Sequence, residues 1–347
     1  MAYSKKESTA TESVFEITIP AAEFENRYED ELKKSAKSVK VSGFRPGKAP
    51  VGMMGDEQKD EARKKALEQV ISSQAYEIIQ KEKLIPAIPP SVSIKSFEVG
   101  KPITLTMTVT VIPPITLVPL SSLQAKRKPV SVEDKDVEVV EKHMWQEHRG
   151  KFKDRSDKWV AEIAPKLGFK AKTLVALRSE ISEAIEREKH RIVDQEYTRE
   201  ALAEAIVKSN VVIPENLVQY EAEERERSFL STLHQMNTTM EEFSKQKNVT
   251  IEELRTQWKK DAKEAIETDI LLSEFARSRK IEVSDSELES EVAILKAQSK
   301  NPSDALFDND EWRGYIKRVL LKRKSIHAFM DELGSSGTSV KKSVVSE

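Results

Sequence analysis

The segment Ile103–Val111 alternates apolar residues with threonines without interruption. A period of two residues is typical of a β-strand that buries one face. Weaker alternation in Ser13–Ile19 and Val92–Phe97 predicts two further strands. The first third of the chain is therefore expected to form a sheet, and a sheet with one apolar face needs a second layer to cover it.

That second layer is predicted to consist of two helices, which lie in the chain between the strands Ser13–Ile19 and Val92–Phe97. Apolar residues recur there at helical spacing in two runs, first Phe24, Tyr28 and Leu32, then Ala62, Ala66 and Val70, with the second helix reaching about Glu82. The order strand, helix, loop, helix, strand, strand predicts a small α+β domain over residues 1–112.

The connection that follows this domain is rich in proline. Pro113, Pro114, Pro119 and Pro129 predict an extended connector, because each proline disfavours helix at the residue before it. A charged segment comes next, and we expect it to form a surface helix with Ser131 as its N-cap. Residues 113–158 are therefore predicted to be a connector that carries one charged helix.

From Trp159 to Leu333 the apolar pattern is helical almost throughout. Thr250 and Glu253, like Ser284 and Glu287, have the spacing of a capping box, in which side chains satisfy free N–H groups at a helix start. The last residues, 334–347, have a disordered composition. The predicted fold class is multidomain α+β, with the small domain followed by a mostly α-helical body, residues 159–333, that has projecting helical arms.

Composition narrows the functional classes. The chain has no cysteine, which excludes disulfides, thiol catalysis and zinc–thiolate sites and fits a reducing compartment. No apolar run approaches the length of a membrane span. His143 and His148 are five residues apart, which does not align two ligands on one helical face. We therefore expect a cytoplasmic protein with no catalytic residues, no cofactor, no metal and no membrane partner.

One segment lacks acidic residues altogether. Between Leu32 and Gly55 there is no Asp or Glu, while six cations occur there: Lys33, Lys34, Lys37, Lys40, Arg45 and Lys48. Such clustering is typical of a surface that docks on phosphates, although a solvated basic helix end explains the charge equally well. Phe44 favours docking, because an aromatic side chain between glycines and prolines is poorly placed for its own domain's core.

A second feature is an apolar stripe in the helical half. Its members are spaced by four, three, four and three residues, which predicts one helical seam: Phe229, Leu233, Met236, Met240 and Phe243. Packing against a neighbouring helix is one explanation. The alternative is a binding surface, since flexible Met side chains suit contacts with many partners.

The octapeptide GFRPGKAP, at a turn between two helices and followed by LTMTVTV and Pro113-Pro114, resembles the ribosome-docking domain of the trigger factor family. Members of this family are bacterial chaperones that meet nascent chains at the exit of the large ribosomal subunit. Three helical segments are similar to the family as well: KLGFKAKTLVALRSEISEAIEREK, VVIPENLVQYEAEE and ILLSEFARSRKIEVSDSELESEV. Together the resemblance covers residues 13–333.

The resemblance implies a function and a set of contacts. It implies an ATP-independent chaperone that docks on a ribosomal protein and rRNA, shields nascent polypeptides from aggregation, and has the capacity to form a homodimer off the ribosome. The implied ribosome-binding residues are Gly43, Phe44, Arg45, Pro46, Gly47, Lys48 and Pro50. The apolar stripe from Phe229 to Phe243 is the candidate client-binding surface.

The chain departs from the family between the docking domain and the helical body. Typical members carry a prolyl isomerase domain there, related to FK506-binding proteins, which needs several strands and many glycines. Residues 113–158 are instead short, charged and largely helical, and the whole chain has 10 glycines. Isomerase activity is therefore not expected. Two alternatives stay open, a peptidyl-prolyl isomerase or foldase with an unrecognised site, and a holdase that works without the ribosome.

Overall fold

The computed structural model describes residues 2–38, 54–98, 100–299 and 305–342, with side chains described for 2–36, 54–98, 100–299 and 305–334. The chain divides into two compact units. The first comprises Met1–Ile115 and Val212–Glu267, and the second comprises Thr116–Val211 and Thr268–Glu347. The predicted domains run consecutively along the chain, whereas these units are interleaved. Local sequence patterns do not report which distant segments pack together, so this grouping was not predictable from periodicity.

The first unit contains a four-stranded antiparallel sheet. Its strands are β1 Ala2–Ser8, β2 Glu12–Ile19, β3 Ser91–Ser96 and β4 Ile103–Thr110, in the order β1-β2-β4-β3. The three strands predicted from alternation are confirmed as β2, β3 and β4. The sequence did not predict β1, because this edge strand is mostly exposed and therefore lacks an apolar period.

The described ranges contain ten α-helices. They are α1 Ala21–Ser38, α2 Asp56–Lys81, α3 Asp134–His148, α4 Asp157–Ile163, α5 Leu174–Lys208, α6 Glu215–Gln235, α7 Met240–Lys247, α8 Ile251–Arg279, α9 Asp285–Gln298 and α10 Asp310–Lys342. The capping boxes predicted at Thr250 and Ser284 are both formed, at the starts of α8 and α9.

One face of the sheet is covered by α1 and α2, as the sequence predicts. Phe15 and Ile17 of β2 lie opposite Met107 and Leu105 of β4, and all four side chains are fully buried. The helices contribute Phe24, Ala66, Val70 and Ile78 to the same core. The sheet and the two helices therefore share one continuous apolar core, which fixes the helices on the sheet.

In the second unit, α3 belongs to a core and is not the surface helix that was predicted. Val137 and Met144 pack with the fully buried Trp159, Leu177 and Ile181 of α4 and α5. The charged sequence of α3 indicated a surface helix, but one of its acids is buried. Glu141 is 1% exposed and accepts hydrogen bonds from Arg155 Nη1 at 2.7 Å and Arg178 Nε at 2.6 Å. Paired in this way, a charged residue is compatible with a buried helix face.

The start of α3 also differs from the prediction. Its N-cap is Glu133 rather than Ser131, and the Asp136 side chain accepts a hydrogen bond from the Glu133 backbone N–H at 3.1 Å. Lys189 Nζ approaches the same carboxylate at 2.5 Å. The Lys189 ammonium, together with the Glu133 N–H, lowers the pKa of Asp136. A reciprocal acidic cap thus replaces the expected hydroxyl cap.

The tail predicted to be disordered from Gly334 is partly helical, because α10 extends to Lys342. Ser, Thr and Gly are weak helix formers, but extending an existing helix is far easier than nucleating one. The composition of the tail therefore did not decide its backbone structure. Residues 343–347 lie outside the described ranges.

Within the second unit, α9 and α10 are joined by a small apolar core and a carboxylate clamp. Glu287 accepts hydrogen bonds from Lys324 Nζ at 2.7 Å and from the Ser284 backbone N–H at 2.8 Å. The Lys324 ammonium, followed by the N–H and hydroxyl of Ser284, lowers the pKa of Glu287 from 4.5 to about 2. The clamp therefore stabilises the folded protein only while this carboxylate is ionised.

Replacing Glu287 by Gln is expected to lower the thermal midpoint at pH 7 and to weaken its pH dependence. Because the folded pKa lies below the unfolded one, the wild-type stabilisation is complete above pH 4.5 and is lost as the pH falls towards about 2. Circular dichroism melts from pH 7 to pH 2 measure both effects. The control is Glu282→Gln, at an exposed side chain with no ion pair among the described residues. An unchanged pH dependence in Glu287→Gln would show that the clamp adds no stability.

Candidate functional site

The first candidate surface is the end of the α1–α2 pair that lies away from the sheet core. There Leu32, Ala36, Met54 and Ala62 form their own apolar cluster, with Tyr28 packed against it. This cluster holds the last turns of α1 beside the first turns of α2. Residues 39–53 connect these two helix ends, so the described residues on either side of the connection are held together by packing.

The predicted docking residues fall within that connection. Gly43, Phe44, Arg45, Pro46, Gly47, Lys48 and Pro50 lie outside the described residues, and so does Lys40. The helical context predicted for this segment is confirmed, since α1 precedes it and α2 follows it. Its role in docking stays a prediction.

Two cations of the predicted basic patch have described side chains, and both are paired with acids from the preceding turn. Lys33 Nζ lies 3.5 Å from Glu29, and Lys34 Nζ donates to Glu31 at 2.6 Å. Glu31 is 5% exposed and also accepts from Gln69 Nε2 of α2 at 3.0 Å. The Lys34 ammonium lowers the pKa of Glu31, with Gln69 contributing less. Part of the predicted basic patch is therefore neutralised, which places more weight on the cations within residues 39–53.

The second candidate surface, the apolar stripe, does not lie on one helix as predicted. Helix α6 ends at Gln235 and α7 begins at Met240, so the stripe crosses a turn. Asn237 adopts a left-handed conformation with φ 51°, and Thr239 with Glu242 forms a capping box for α7. The Thr239–Glu242 spacing was present in the sequence and was missed because the apolar spacing continued across the turn.

The stripe also packs inward for most of its length. The Phe229 ring lies 5.0 Å from Phe243 and 5.4 Å from Trp258 of α8, measured between centroids. Leu233 and Met240 are buried, whereas Met236 is 67% exposed. Of the five candidate client-binding residues, Met236 alone offers a largely exposed side chain. Leu230 of α6, which is not part of the stripe, is 43% exposed.

Within the first unit, α6 and α8 pack against each other, and α6 is hydrogen-bonded to the sheet. Val218, Ala222 and Ala262 form the apolar seam between the two helices. Arg255 Nη2 donates to Glu226 at 2.6 Å, farther along the same pair. At the start of α6, the Asn216 side-chain N–H donates to Thr110 Oγ1 at 2.6 Å and to a carboxylate oxygen of Glu12 at 3.0 Å. These contacts join the helical pair to β2 and to the end of β4.

In the second unit, the predicted proline-rich connector lies along α5. Its contacts run in antiparallel order: Val118 N to Ser209 Oγ, Lys208 Nζ to Ser122 O, Gln124 N and Ala125 N to Glu204, Lys128 Nζ to Glu196, and Lys189 Nζ to Ser131 O. The Lys208 ammonium and the two backbone N–H groups lower the pKa of Glu204. The extended conformation is as predicted, but the segment is bound along a helix over much of its length.

The described residues contain no group of three or more His, Asp or Glu side chains arranged to hold a metal ion. None of the helices in these ranges is long and apolar enough to cross a bilayer.

Comparisons with family models and with known proteins identify relatives of this chain. The family model for the bacterial trigger factor protein matches residues 1–144, and the model for the trigger factor C-terminus matches residues 173–331. Trigger factor from Pseudomonas syringae pv. syringae (strain B728a) is 34% identical over 138 residues, which is 40% of this chain and 32% of that protein. Trigger factor from Azotobacter vinelandii (strain DJ) is 33% identical over the same length.

A solved structure shares the fold. A chain from work on promiscuous substrate recognition in the folding and assembly activities of the trigger factor chaperone aligns with a TM-score of 0.55 and 14% identity. The alignment covers 96% of this chain and 100% of that one. The two chains therefore share a fold over nearly their whole length.

The chain belongs to the trigger factor family. It spans 32% of the length of the first curated relatives it matches. The two family matches are separated by residues 145–172, which contain α4 and a short 3-10 turn. No isomerase domain is matched between them.

Proposed function

We propose that this protein is an ATP-independent chaperone that docks near the exit of the large ribosomal subunit and shields nascent polypeptides from aggregation. The observation that carries the proposal is the position of GFRPGKAP in the chain. It lies between two helices whose near ends are fixed on a sheet and whose far ends are held together by their own apolar cluster. A segment carried in this way has a fixed base from which to contact a large partner.

In this proposal Arg45 and Lys48 contact rRNA phosphates or acidic side chains of a ribosomal protein. Charge-assisted contacts of this kind are strong individually and sensitive to salt collectively. Phe44 buries its ring at the interface. Gly43 and Gly47 permit backbone conformations that other residues disfavour, while Pro46 and Pro50 restrict the segment and lower its entropy loss on binding.

Client binding is proposed to be weak and distributed. Nascent chains expose apolar surface that would otherwise self-associate. The proposed contacts are Met236 of the predicted stripe, in the turn between α6 and α7, and the exposed Leu230 of α6, which was not part of the stripe. Leu233 and Met240 are not proposed as contacts, because their side chains are already buried. Release then requires no nucleotide, since a client leaves when its own core forms.

The site of action in this proposal is the cytoplasm, where nascent chains leave the ribosome. The bacterial origin of the relatives and the absence of cysteine fit a reducing compartment. A homodimer off the ribosome remains part of the proposal. Its test is the molar mass in solution at several protein concentrations.

Two refolding assays separate the chaperone from a prolyl isomerase. At equimolar ratio we expect the protein to suppress aggregation of a chemically unfolded client. At a ratio of about one to a hundred we expect no acceleration of a proline-limited refolding step, which takes tens of seconds without catalysis. Acceleration at the low ratio would establish isomerase activity, and failure to suppress aggregation at equimolar ratio would contradict the chaperone function.

The second candidate is a holdase that works in free solution. Exposed apolar side chains in the second unit favour it, among them Val175 at 79% and Val207 at 78% exposed. It makes the same prediction for aggregation assays, so only an assay in the presence of ribosomes separates the two.

A further inference from the structure

A second cluster of cations, apart from the predicted docking residues, lies in the second unit. Residues 149–172 contain eight Lys or Arg and three Asp or Glu, a net formal charge of +5 in a chain whose net charge is −2. Widening the range to residues 141–180 adds two cations and three acids and still leaves +4. The positive excess therefore does not depend on where the range is cut.

The fold gathers this segment at one end of the core formed by α3, α4 and α5. Trp159 Nε1 donates to the His148 carbonyl oxygen at 3.2 Å, which joins the end of α3 to the start of α4. The Leu174 backbone N–H donates to Asp157 Oδ1 at 2.7 Å, which joins the start of α4 to the start of α5. This junction brings together the cations that flank it in sequence: Arg149, Lys158 and Lys172.

The loop between α3 and α4 is anchored on both sides of Lys153. Before it, Phe152 packs against the core, and its backbone N–H donates to the Arg149 carbonyl oxygen at 3.0 Å. After it, Arg155 Nη1 donates to the buried Glu141 at 2.7 Å. The Lys153 side chain is exposed and is thus carried on a backbone already ordered, which lowers the entropy cost of binding through it.

The acids of the segment leave much of its positive charge unpaired. Glu162 is shared between Lys151 Nζ at 3.3 Å and Lys166 Nζ at 3.7 Å, so one carboxylate faces two ammonium groups. Asp157 is engaged by the start of α5. Five exposed cations of the segment have no ion pair among the described side chains: Arg149, Lys153, Lys158, Lys170 and Lys172.

The same segment exposes no large aliphatic or aromatic side chain. All of residues 149–172 are described, and the large exposed apolar side chains nearest to them in sequence are Val139 and Val175. Protein interfaces usually have an apolar centre, whereas a phosphate backbone is bound by clustered cations alone. Surface chemistry of this kind therefore favours RNA over an acidic protein.

We propose that residues 149–172 bind the phosphate backbone of RNA on the large ribosomal subunit, as a second contact separate from residues 43–50. The proposal rests on the ribosome docking proposed above and deepens it by assigning another binding surface. The two family matches end at residue 144 and resume at residue 173, so this surface belongs to a segment that neither of them covers.

The test measures the Kd of the full chain for purified ribosomes by co-sedimentation at several salt concentrations. The variant Lys153→Gln, Lys158→Gln, Lys172→Gln removes three exposed, unpaired cations. We expect its affinity to fall at least about tenfold at physiological salt. The slope of log Kd against log salt should fall by about two to three, because each phosphate contact contributes about 0.7–0.9 to it.

The matched control removes the same charge elsewhere in the second unit. Lys126→Gln, Lys280→Gln, Lys317→Gln changes three exposed lysines outside residues 141–180 that have no ion pair among the described side chains. This variant should bind ribosomes like the wild type, and both variants should keep the wild-type thermal midpoint because all six side chains are exposed. Equal losses in the two variants, or no loss in the first, would overturn the proposal.

A second assay distinguishes RNA from an acidic protein as the partner. It uses the Phe44→Ala, Arg45→Ala protein, so that the predicted docking residues do not contribute, and a labelled RNA hairpin. The three substitutions at Lys153, Lys158 and Lys172 should raise the Kd for the hairpin, and polyglutamate of equal charge should displace it only weakly. Equally effective displacement by polyglutamate, or an unchanged Kd, would overturn the assignment to RNA.

The ribosome assay also separates this inference from the docking assignment. If Phe44→Ala, Arg45→Ala weakens ribosome binding and the variant at Lys153, Lys158 and Lys172 does not, the second contact fails and docking through residues 43–50 stands. If neither variant weakens ribosome binding, both proposals fail.

Discussion

Replacing Trp159 by Ala is expected to lower the free energy of unfolding of the second unit by about 3–5 kcal/mol. Trp159 is fully buried, packs edge-on against Trp145 with ring centroids 5.1 Å apart, and donates from Nε1 to the His148 carbonyl oxygen at 3.2 Å. The substitution leaves a large cavity among α3, α4 and α5 and also leaves that carbonyl without this donor. Urea unfolding followed by circular dichroism measures the loss.

Two further variants test whether the loss of stability comes from the buried Trp159 ring. Trp159→Phe refills much of the volume and should cost less than Trp159→Ala. Val139→Ala, at a side chain of α3 that is 66% exposed, should change stability by less than about 0.5 kcal/mol. A loss below about 1 kcal/mol in Trp159→Ala would contradict the assignment of these helices to one core.

Ribosome binding is expected to fall at least about a hundredfold when Phe44 and Arg45 are both replaced by Ala. Burying a Phe side chain contributes about 1.5–3 kcal/mol, and a hydrogen bond to a charged group contributes about 1.5–3 kcal/mol. Each 1.4 kcal/mol is a tenfold change in affinity. Co-sedimentation with purified ribosomes at several protein concentrations measures the two affinities.

The matched control removes one aromatic residue and one cation elsewhere on the same helical pair. Tyr76→Ala with Lys81→Ala changes two exposed positions near the end of α2, far along the helix from residues 39–53. This variant should bind within about twofold of wild type. Wild-type binding should also weaken as salt rises, because phosphate contacts release counterions. Undiminished co-sedimentation of the Phe44→Ala, Arg45→Ala variant would remove the docking assignment.

Sequence patterns predicted those elements whose burial is periodic. The alternation in Ile103–Val111 located β4, and helical spacing located α1 and α2, because each element buries one regular face. The edge strand β1 escaped because it buries almost nothing. The burial of α3 escaped because Glu141, an acid, occupies an internal position that only its pairing with Arg155 and Arg178 makes tolerable.

Sequence patterns predicted the candidate site only in part, for the same reason. The stripe from Phe229 to Phe243 was seen in the sequence, but the turn at Asn237 and the partner Trp258 on a distant helix determine which of its residues are buried. Local spacing carries no information on such contacts.

The central claim, that this chain shields nascent polypeptides while docked through Phe44 and Arg45, is tested most directly by translation in a purified system without other chaperones. An aggregation-prone client is translated with the wild type, with the Phe44→Ala, Arg45→Ala variant, or with neither, and its soluble fraction is measured. We predict that the wild type raises this fraction and that the variant does not at equal concentration, although both suppress aggregation of the same client refolded without ribosomes. An equal rise with both proteins would contradict docking and establish a holdase that acts in free solution.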